Sequence, residues 1–506
     1  MIAKKSHGDY QTPIDFALKI CNFLKTAKNL NPKVIFEPTC GIGNFLKAAQ
    51  IFNAEKYFGL EINPEYCKIC NENISNEKVT IANKNFFECN KNFFPKSEKL
   101  LVIGNPPWVN NAELSKLNSN NLPQKNNFKN LCGLNALTGE SNFDICEYII
   151  ENLIEIYRGT NTIFAVLCKT SVAKNIFEEI IRRNIFFKEY EIFKFDAKKI
   201  WGINASTCLL YIELAEENII LNTGKIYDFN EPNKVEKIFG CRDGKFYNDL
   251  SNFAYDFDGQ CCFEWRQGIK HDLSKIMELT FENGNFKNGF GEIVELEKDF
   301  IFQLAKGSTI KNPIINNFSK YVIVTQKFLG EDTAHLKFVA PKTWNYLKKN
   351  SALFAKRKSK IYNNTPEFSM FGIGEYSFLP YKICIGGMNK KPFFSLIFSN
   401  DKNKPVMLDD TSYFIGFKNY DAAYTAMIFL NTDKVRNFLQ NLIFVDAKRP
   451  FTKKILSRID FSKIYSAITT EEVFETEKIL GLKKYLNLKI LNDFSNILAE
   501  KEIELF

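Results

Sequence analysis

The sequence predicts an α/β protein: a first half built on a mostly parallel sheet, followed by a separate mixed α+β domain. Three observations carry this reading. Over the first 215 residues short apolar strands alternate with longer amphipathic segments, the pattern of a sheet covered on both faces. Two of those strands end in Gly- or Pro-containing turns, at the sheet edge where such folds bind ligands. Residues 215–255 then change character, with acidic residues, Gly and Asn clustered around Asn230-Glu231-Pro232-Asn233. At 506 residues the chain exceeds one typical domain.

The elements follow in order. Strands are expected at Val34–Glu37, Tyr57–Glu61, Val79–Ala82, Leu100–Gly104, Thr162–Leu167, Lys188–Phe193 and Thr207–Leu214, seven in all, with helices over Pro13–Leu24 and Phe143–Tyr157 among those between them. The stretch Val109–Asn142 breaks the rhythm. It is long, polar and rich in Asn, Ser and Gly, and a loop of that length beside a motif reads as functional. The first domain is placed at 1–220 and the second at 221–506, with 221–255 as a linker. Beyond it strands and helices mix without a repeat, and the tail is helical from Thr470, expected as N-cap with Glu471 and Glu472 in the first turn.

Charge narrows the partners. The chain carries +9 overall, but residues 1–250 hold only +2 and residues 251–506 hold +7. Within 301–400, fifteen Lys and Arg face four Asp and Glu. A local field of that kind attracts polyanions, nucleic acid first. No apolar signal core opens the chain and no run of eighteen apolar residues occurs, so neither a secretory signal nor a membrane span is expected. Thirteen scattered cysteines, several in apolar strand-like runs (Cys168, Cys208, Cys384), suit a reducing cytoplasm. Cys67 and Cys70 form a CxxC without a second pair or a His at ligand spacing, which reads as helix packing, and no metal site is expected.

Two motifs carry chemistry. In Phe36-Glu37-Pro38-Thr39-Cys40-Gly41-Ile42-Gly43-Asn44 a strand runs through an acid and a glycine pair into a helix, which lets the backbone approach a ligand closely. Glu37 can accept from an ammonium group, and Glu61, about twenty residues past the glycines, is placed for ribose hydroxyls. There is no third glycine at dinucleotide spacing and no phosphate-loop lysine. A cofactor with an amino acid and a nucleoside but no phosphate fits better than NAD or ATP. The strand Leu100–Gly104 ends in Asn105-Pro106-Pro107-Trp108. Its prolines fix the backbone and remove two N–H donors. The Asn105 side-chain carbonyl and the Pro106 backbone carbonyl remain as acceptors for an exocyclic NH2, and Trp108 offers a flat face for a planar base.

Taken together, FEPTCGIGNFL, GLEIN, NKNFFE and GNPPW resemble motifs I to IV of the gamma-class (TaqI-type) amino-methyltransferases. The resemblance extends to Asp9–Pro13 (motif X), Asn161–Thr170 (the sixth strand region) and Ile200–Thr207 (motif VIII), and so spans about residues 6–215. It implies a class I (Rossmann-like) methyltransferase domain with a seven-stranded sheet, and S-adenosylmethionine as cofactor. By the same resemblance Thr12, Pro13, Glu37, Cys40, Gly41 and Gly43 line the cofactor, Glu61 holds its ribose, and Asn85 and Phe86 meet its adenine. The family usually has Asp where this chain has Asn85. Asn105, Pro106 and Trp108 hold the target base, with Trp201 as the motif VIII aromatic and Phe195 as its competitor.

The implied reaction is methyl transfer to N6 of an adenine flipped out of double-stranded DNA. The chain's three histidines lie outside these motifs, so no histidine base is expected. The basic half is then a target recognition domain. Three stretches fit DNA contact: Trp265–Asp272 with Arg266 and Lys270; the run Lys356, Arg357, Lys358 and Lys360; and Asp446–Pro450 with Lys448 and Arg449, followed by Lys453, Lys454 and Arg458. No nuclease signature stands out, which points to a stand-alone modification enzyme paired with a separately encoded restriction endonuclease. Methylation of RNA or of a protein glutamine, DNA cytosine-N4 methylation, and a non-catalytic DNA-binding subunit are the competing readings.

Overall fold

The computed structural model describes residues 10–109, 144–216, 221–250, 256–401, 404–444, 447 and 449–503. They form two compact units, Met1–Ser251 and Asn252–Phe506.

The first unit is built on one sheet. Its strands are β1 (Val34–Glu37), β2 (Lys56–Glu61), β3 (Val79–Asn83), β4 (Leu100–Gly104), β5 (Ile163–Lys169), β6 (Phe187–Asp196), β7 (Ser206–Leu214), β8 (Thr223–Asp228), β9 (Val235–Arg242) and β10 (Lys245–Tyr247). They lie in the order β10-β9-β8-β6-β7-β5-β4-β1-β2-β3. The seven expected strands are all present and form the run β3-β2-β1-β4-β5-β7-β6, parallel except for β7. Both β1 and β4 are central, and all five residues of β4 are buried, as a strand covered on both faces requires. The chain leaves β1 toward β2 on one side and enters β4 on the other. The crevice at their carboxyl ends is therefore the switch point of the sheet.

Helices α1 (Ile14–Thr26), α2 (Asn44–Ala48), α3 (Pro64–Asn73), α4 (Ile145–Ile156), α5 (Thr170–Arg182) and α6 (Ala197–Trp201) complete the unit. Their ends obey local chemistry. Asn63 caps α3 ahead of Pro64 at the first helical position, and Asp144 caps α4 by accepting from the Cys146 N–H. The CxxC pair lies on α3, where both cysteines are buried. The loop expected at Val109–Asn142 falls, beyond Val109, outside the described residues.

Two expectations need correction. Of the expected linker 221–255, residues 221–250 are part of the first unit: β8, β9 and β10 within them extend the sheet to ten strands, and residues 251–255 lie outside the described residues. The polar cluster that suggests a boundary is the turn between β8 and β9, where the Asn230 N–H donates to the Asp228 carboxylate at 2.8 Å. In the tail, the N-cap is Thr469, not Thr470. The Thr469 hydroxyl accepts from Glu472 N–H, and the Glu472 carboxylate accepts from Thr469 N–H at 2.9 Å, a reciprocal capping box.

The second unit is mixed α+β. One five-stranded sheet orders Arg266–Gln267, Ser412–Phe417, Tyr381–Gly386, Ser395–Phe398 and Ile314–Ile315. A six-stranded sheet orders Ile293–Val294, Asn285–Lys287, Glu278–Glu282, Lys320–Ile323, Ile301–Ala305 and Met407–Leu408. The helix Tyr420–Asn431 is buried along almost its whole length, which explains why it is apolar on all sides.

Candidate active site

The glycine turn lies at the carboxyl end of β1. Gly41 and Gly43 both adopt positive φ, +52° and +83°. A Cβ on Gly43 would lie 2.3 Å from the Cys70 Sγ, so glycine is required there on both counts. Gly41 N–H donates to one oxygen of Glu61 and Asn63 N–H to the other, each at 2.8 Å. These bonds fix the Glu61 carboxylate at the end of β2. Beneath the turn, the buried thiols of Cys40 and Cys70 are hydrogen-bonded to each other. That contact and burial raise the pKa of the Cys40 thiol, so it behaves as packing.

At the end of β4, Asn105 Nδ2 donates to the Tyr10 carbonyl at 2.8 Å. This bond sets the amide's orientation and leaves Oδ1 buried with no hydrogen-bond partner among the described residues. Trp108 is buried, donates Nε1 to the Leu167 carbonyl at 3.4 Å, and packs against Tyr10 with ring centres 5.9 Å apart. Trp201, at the end of α6, meets Trp108 edge to face at 5.2 Å and donates Nε1 to the Gln11 carbonyl at 3.0 Å. Phe195 lies 6.0 Å from Trp201 and 5.1 Å from Phe16. Both aromatics considered for this position thus fall in one cluster, and Trp201 is the one in contact with Trp108.

Buried polar atoms without a partner normally signal a missing ligand or water. Four of them gather here among the described residues: Thr12 Oγ1, Glu37 Oε2, Thr39 Oγ1 and Asn105 Oδ1. Burial holds the Glu37 carboxyl well above the usual carboxylate range. An acid in that state is ready for a cationic partner, so this end of the crevice suits an ammonium group while Glu61 suits a diol. The residues present fit S-adenosylmethionine. At the far edge, Asn85 caps the short turn Phe86–Glu88 by accepting from Phe87 N–H at 3.1 Å, and Phe86 is buried against Phe94 at 5.5 Å.

The model of a family described as N-6 DNA methylase matches residues 2–238. A relative, the type II methyltransferase M.NspV of Nostoc sp. (strain ATCC 29411 / PCC 7524), is 38% identical over 477 residues, which is 92% of this chain and 98% of the relative. The chain belongs to the N-6 DNA methylase family. It is a methyltransferase with a class I fold and a place in restriction–modification, and S-adenosylmethionine is its cofactor. Among solved structures, a class I S-adenosylmethionine-dependent methyltransferase from Listeria monocytogenes is 11% identical, covering 44% of this chain and 65% of that one, with TM-score 0.31. A type I restriction-modification methyltransferase subunit from Streptococcus thermophilus is 12% identical, covering 48% and 50%, with TM-score 0.32.

The methylase carries its cations differently from what the sequence suggests. Lys356, Lys358 and Lys360 are exposed. Arg357, in the middle of that run, turns inward. It donates to the carbonyls of Ser369 at 2.7 Å, Glu367 at 3.0 Å and Phe354 at 3.3 Å, and stacks 3.6 Å over the Tyr362 ring. The expectation that Arg357 presents its charge to DNA is therefore replaced by a packing role. Arg458 is likewise paired with the buried Asp258. Arg266, Lys270 and Arg449 are each about one-third exposed and paired with Glu264, Asp272 and Asp410. Lys448 lies outside the described residues. His271 is in the second unit, and burial lowers its pKa. No helix of the described residues is long and apolar enough to cross a membrane.

Tyr10, Gln11 and Thr39 were not singled out by the sequence. Tyr10 and Gln11 supply backbone carbonyls, which any residue carries, beside the Tyr10 ring against Trp108 and the Gln11 side chain that accepts from Ile42 N–H. Thr39 differs, because its place between Glu37 and the glycine pair was a usable signal.

Proposed function

We propose that this methylase transfers a methyl group to N6 of an adenine flipped out of duplex DNA, as an enzyme of the gamma (TaqI) type. The observation that carries the reading is the Asn105 amide. Its nitrogen is committed to the Tyr10 carbonyl, and its buried oxygen has no partner among the described residues.

An aromatic amine gives its lone pair to the ring and is a poor nucleophile. Asn105 Oδ1 and the Pro106 carbonyl accept its two hydrogens and draw the nitrogen toward tetrahedral geometry. The lone pair is then freed and directed toward the cofactor, whose sulfonium supplies an electrophilic methyl. Positioning and charge stabilisation do most of the work. Thr12, Pro13, Glu37, Cys40, Gly41 and Gly43 line the methionine end, Glu61 holds the ribose, and Asn85 and Phe86 border the adenine. Inside a duplex the amine is stacked, so the base leaves the helix and Trp108 and Trp201 replace part of the stacking it gives up. Arg266, Lys270, Lys356, Lys358, Lys360, Lys448 and Arg449 contact the DNA. The modification protects host DNA in the cytoplasm from a separately encoded endonuclease.

Expression of the chain alone in cells that lack adenine methylation tests this, with methylation-sensitive sequencing of their DNA. The expected result is N6-methyladenine at one short recurrent sequence. Cytosine-N4 methylation, or an unmodified genome with label only in RNA or protein, overturns it.

A further inference from the structure

The three sequence-distant stretches that suggested DNA contact converge within the second unit. The backbone of Ile269 bridges that of Asp409, and Lys270 bridges Phe371, whose ring lies 5.4 Å from Tyr362, the residue under Arg357. A Cβ on Gly268 would lie 2.1 Å from the Asp409 carbonyl, so the chains meet at backbone contact. The junction is Asp410, a residue no motif singled out. Its carbonyl accepts from Gln267 Nε2 at 2.6 Å and from Arg449 Nη1 at 3.0 Å, while its carboxylate lies 3.5 Å from Arg449 Nη2. Beside it, Arg266 is paired with Glu264 and stacks 4.5 Å over the Tyr376 ring.

Two arginines of this region are therefore each oriented by a carboxylate, while each side chain stays about one-third exposed. A lysine anchoring a phosphate needs no such restraint, because its ammonium binds as a point charge. A guanidinium fork held in one orientation suits a planar pair of acceptors, and the guanine O6 and N7 edge presents that pair in the major groove. The exposed Lys356, Lys358 and Lys360 have the opposite character.

We propose that Arg449 and Arg266, set by Asp410 and Glu264, read guanine in the target sequence, while the lysine run only anchors phosphates. This rests on the reading of the methylase as sequence-specific for duplex DNA. The test uses the full chain and a pool of duplexes randomised at each position of the wild-type target, with methylation read by sequencing. A wild type that methylates no duplex overturns the underlying reading, which keeps the two failures distinct. Arg449→Gln and Asp410→Asn should relax the same G·C position by about 5- to 150-fold in discrimination. Arg266→Gln should relax another G·C position. Affinity for non-target DNA and its salt slope should stay close to wild type. Arg449→Lys, which keeps charge but loses the fork, should behave like Arg449→Gln and serves if that variant does not fold. An unchanged target profile with a slower rate overturns the proposal. Relaxation confined to A·T positions, or equal loss on all DNA with a shallower salt slope, also overturns it.

Discussion

At Asn105 the orientation of one amide decides what the site accepts. One Nδ2 hydrogen is donated to Tyr10, and Oδ1 is left buried without a partner among the described residues. Asn105→Ala should lower turnover by roughly 10² or more, the usual cost of one key polar group at a reacting centre, while S-adenosylmethionine binding stays near wild type. Near wild-type turnover in single-turnover assays would mean the catalytic strand is misassigned. Glu37 supports a second prediction. Burial raises its pKa, which favours the protonated form in the cofactor-free protein. In the proposed role an ammonium partner favours the carboxylate, so binding should expel a proton and tighten as pH rises. Calorimetry in buffers of different ionisation heat should show that release in the wild type and not in Glu37→Gln; equal behaviour would remove Glu37 from the ammonium site. Asn105 was legible because two prolines dictate its local geometry. Arg357 was not, because a guanidinium turned toward the carbonyls of Ser369 and Glu367 looks in sequence like one turned to solvent.

Among elements, the seven strands of the first sheet were legible because each is a short apolar run bounded by turn residues. The strands β8 to β10 were missed because their polar turns resemble a domain boundary, and whether a hairpin joins a sheet is decided by pairing with β6, far back in the chain. In the second unit the strand Tyr381–Gly386 carries a further consequence. Lys382 is fully buried, donates to the carbonyls of Leu379 at 2.7 Å and Val406 at 2.9 Å, and burial lowers its pKa to about 7. The unfolded value is about 10.4. Between about pH 7 and about pH 10 unfolding therefore takes up a proton, and stability should rise with pH across that window. Lys382→Met should flatten the rise in urea midpoints measured at about pH 6.5 and pH 9. An unaltered slope would show that Lys382 does not titrate there.

On the scale of the whole molecule, the division into a methyl-transfer unit and a basic unit was readable from the charge distribution, although its boundary lies near residue 251 and not at 220. The excess of eleven positive charges within 301–400 predicts salt-dependent DNA binding. Replacing Lys356, Lys358 and Lys360 with Gln should weaken target and non-target DNA alike, and should flatten the salt slope by up to roughly 0.9 for each phosphate no longer neutralised. A salt titration matching wild type would place the DNA path elsewhere. The central claim is that the Asn105 site methylates adenine N6 in DNA. Nucleoside mass spectrometry of duplex DNA treated with the purified chain and S-adenosylmethionine tests it most directly. The account predicts N6-methyladenine with wild type and none above background with Asn105→Ala; methylcytosine as the sole product, or N6-methyladenine formed equally by both proteins, would contradict it.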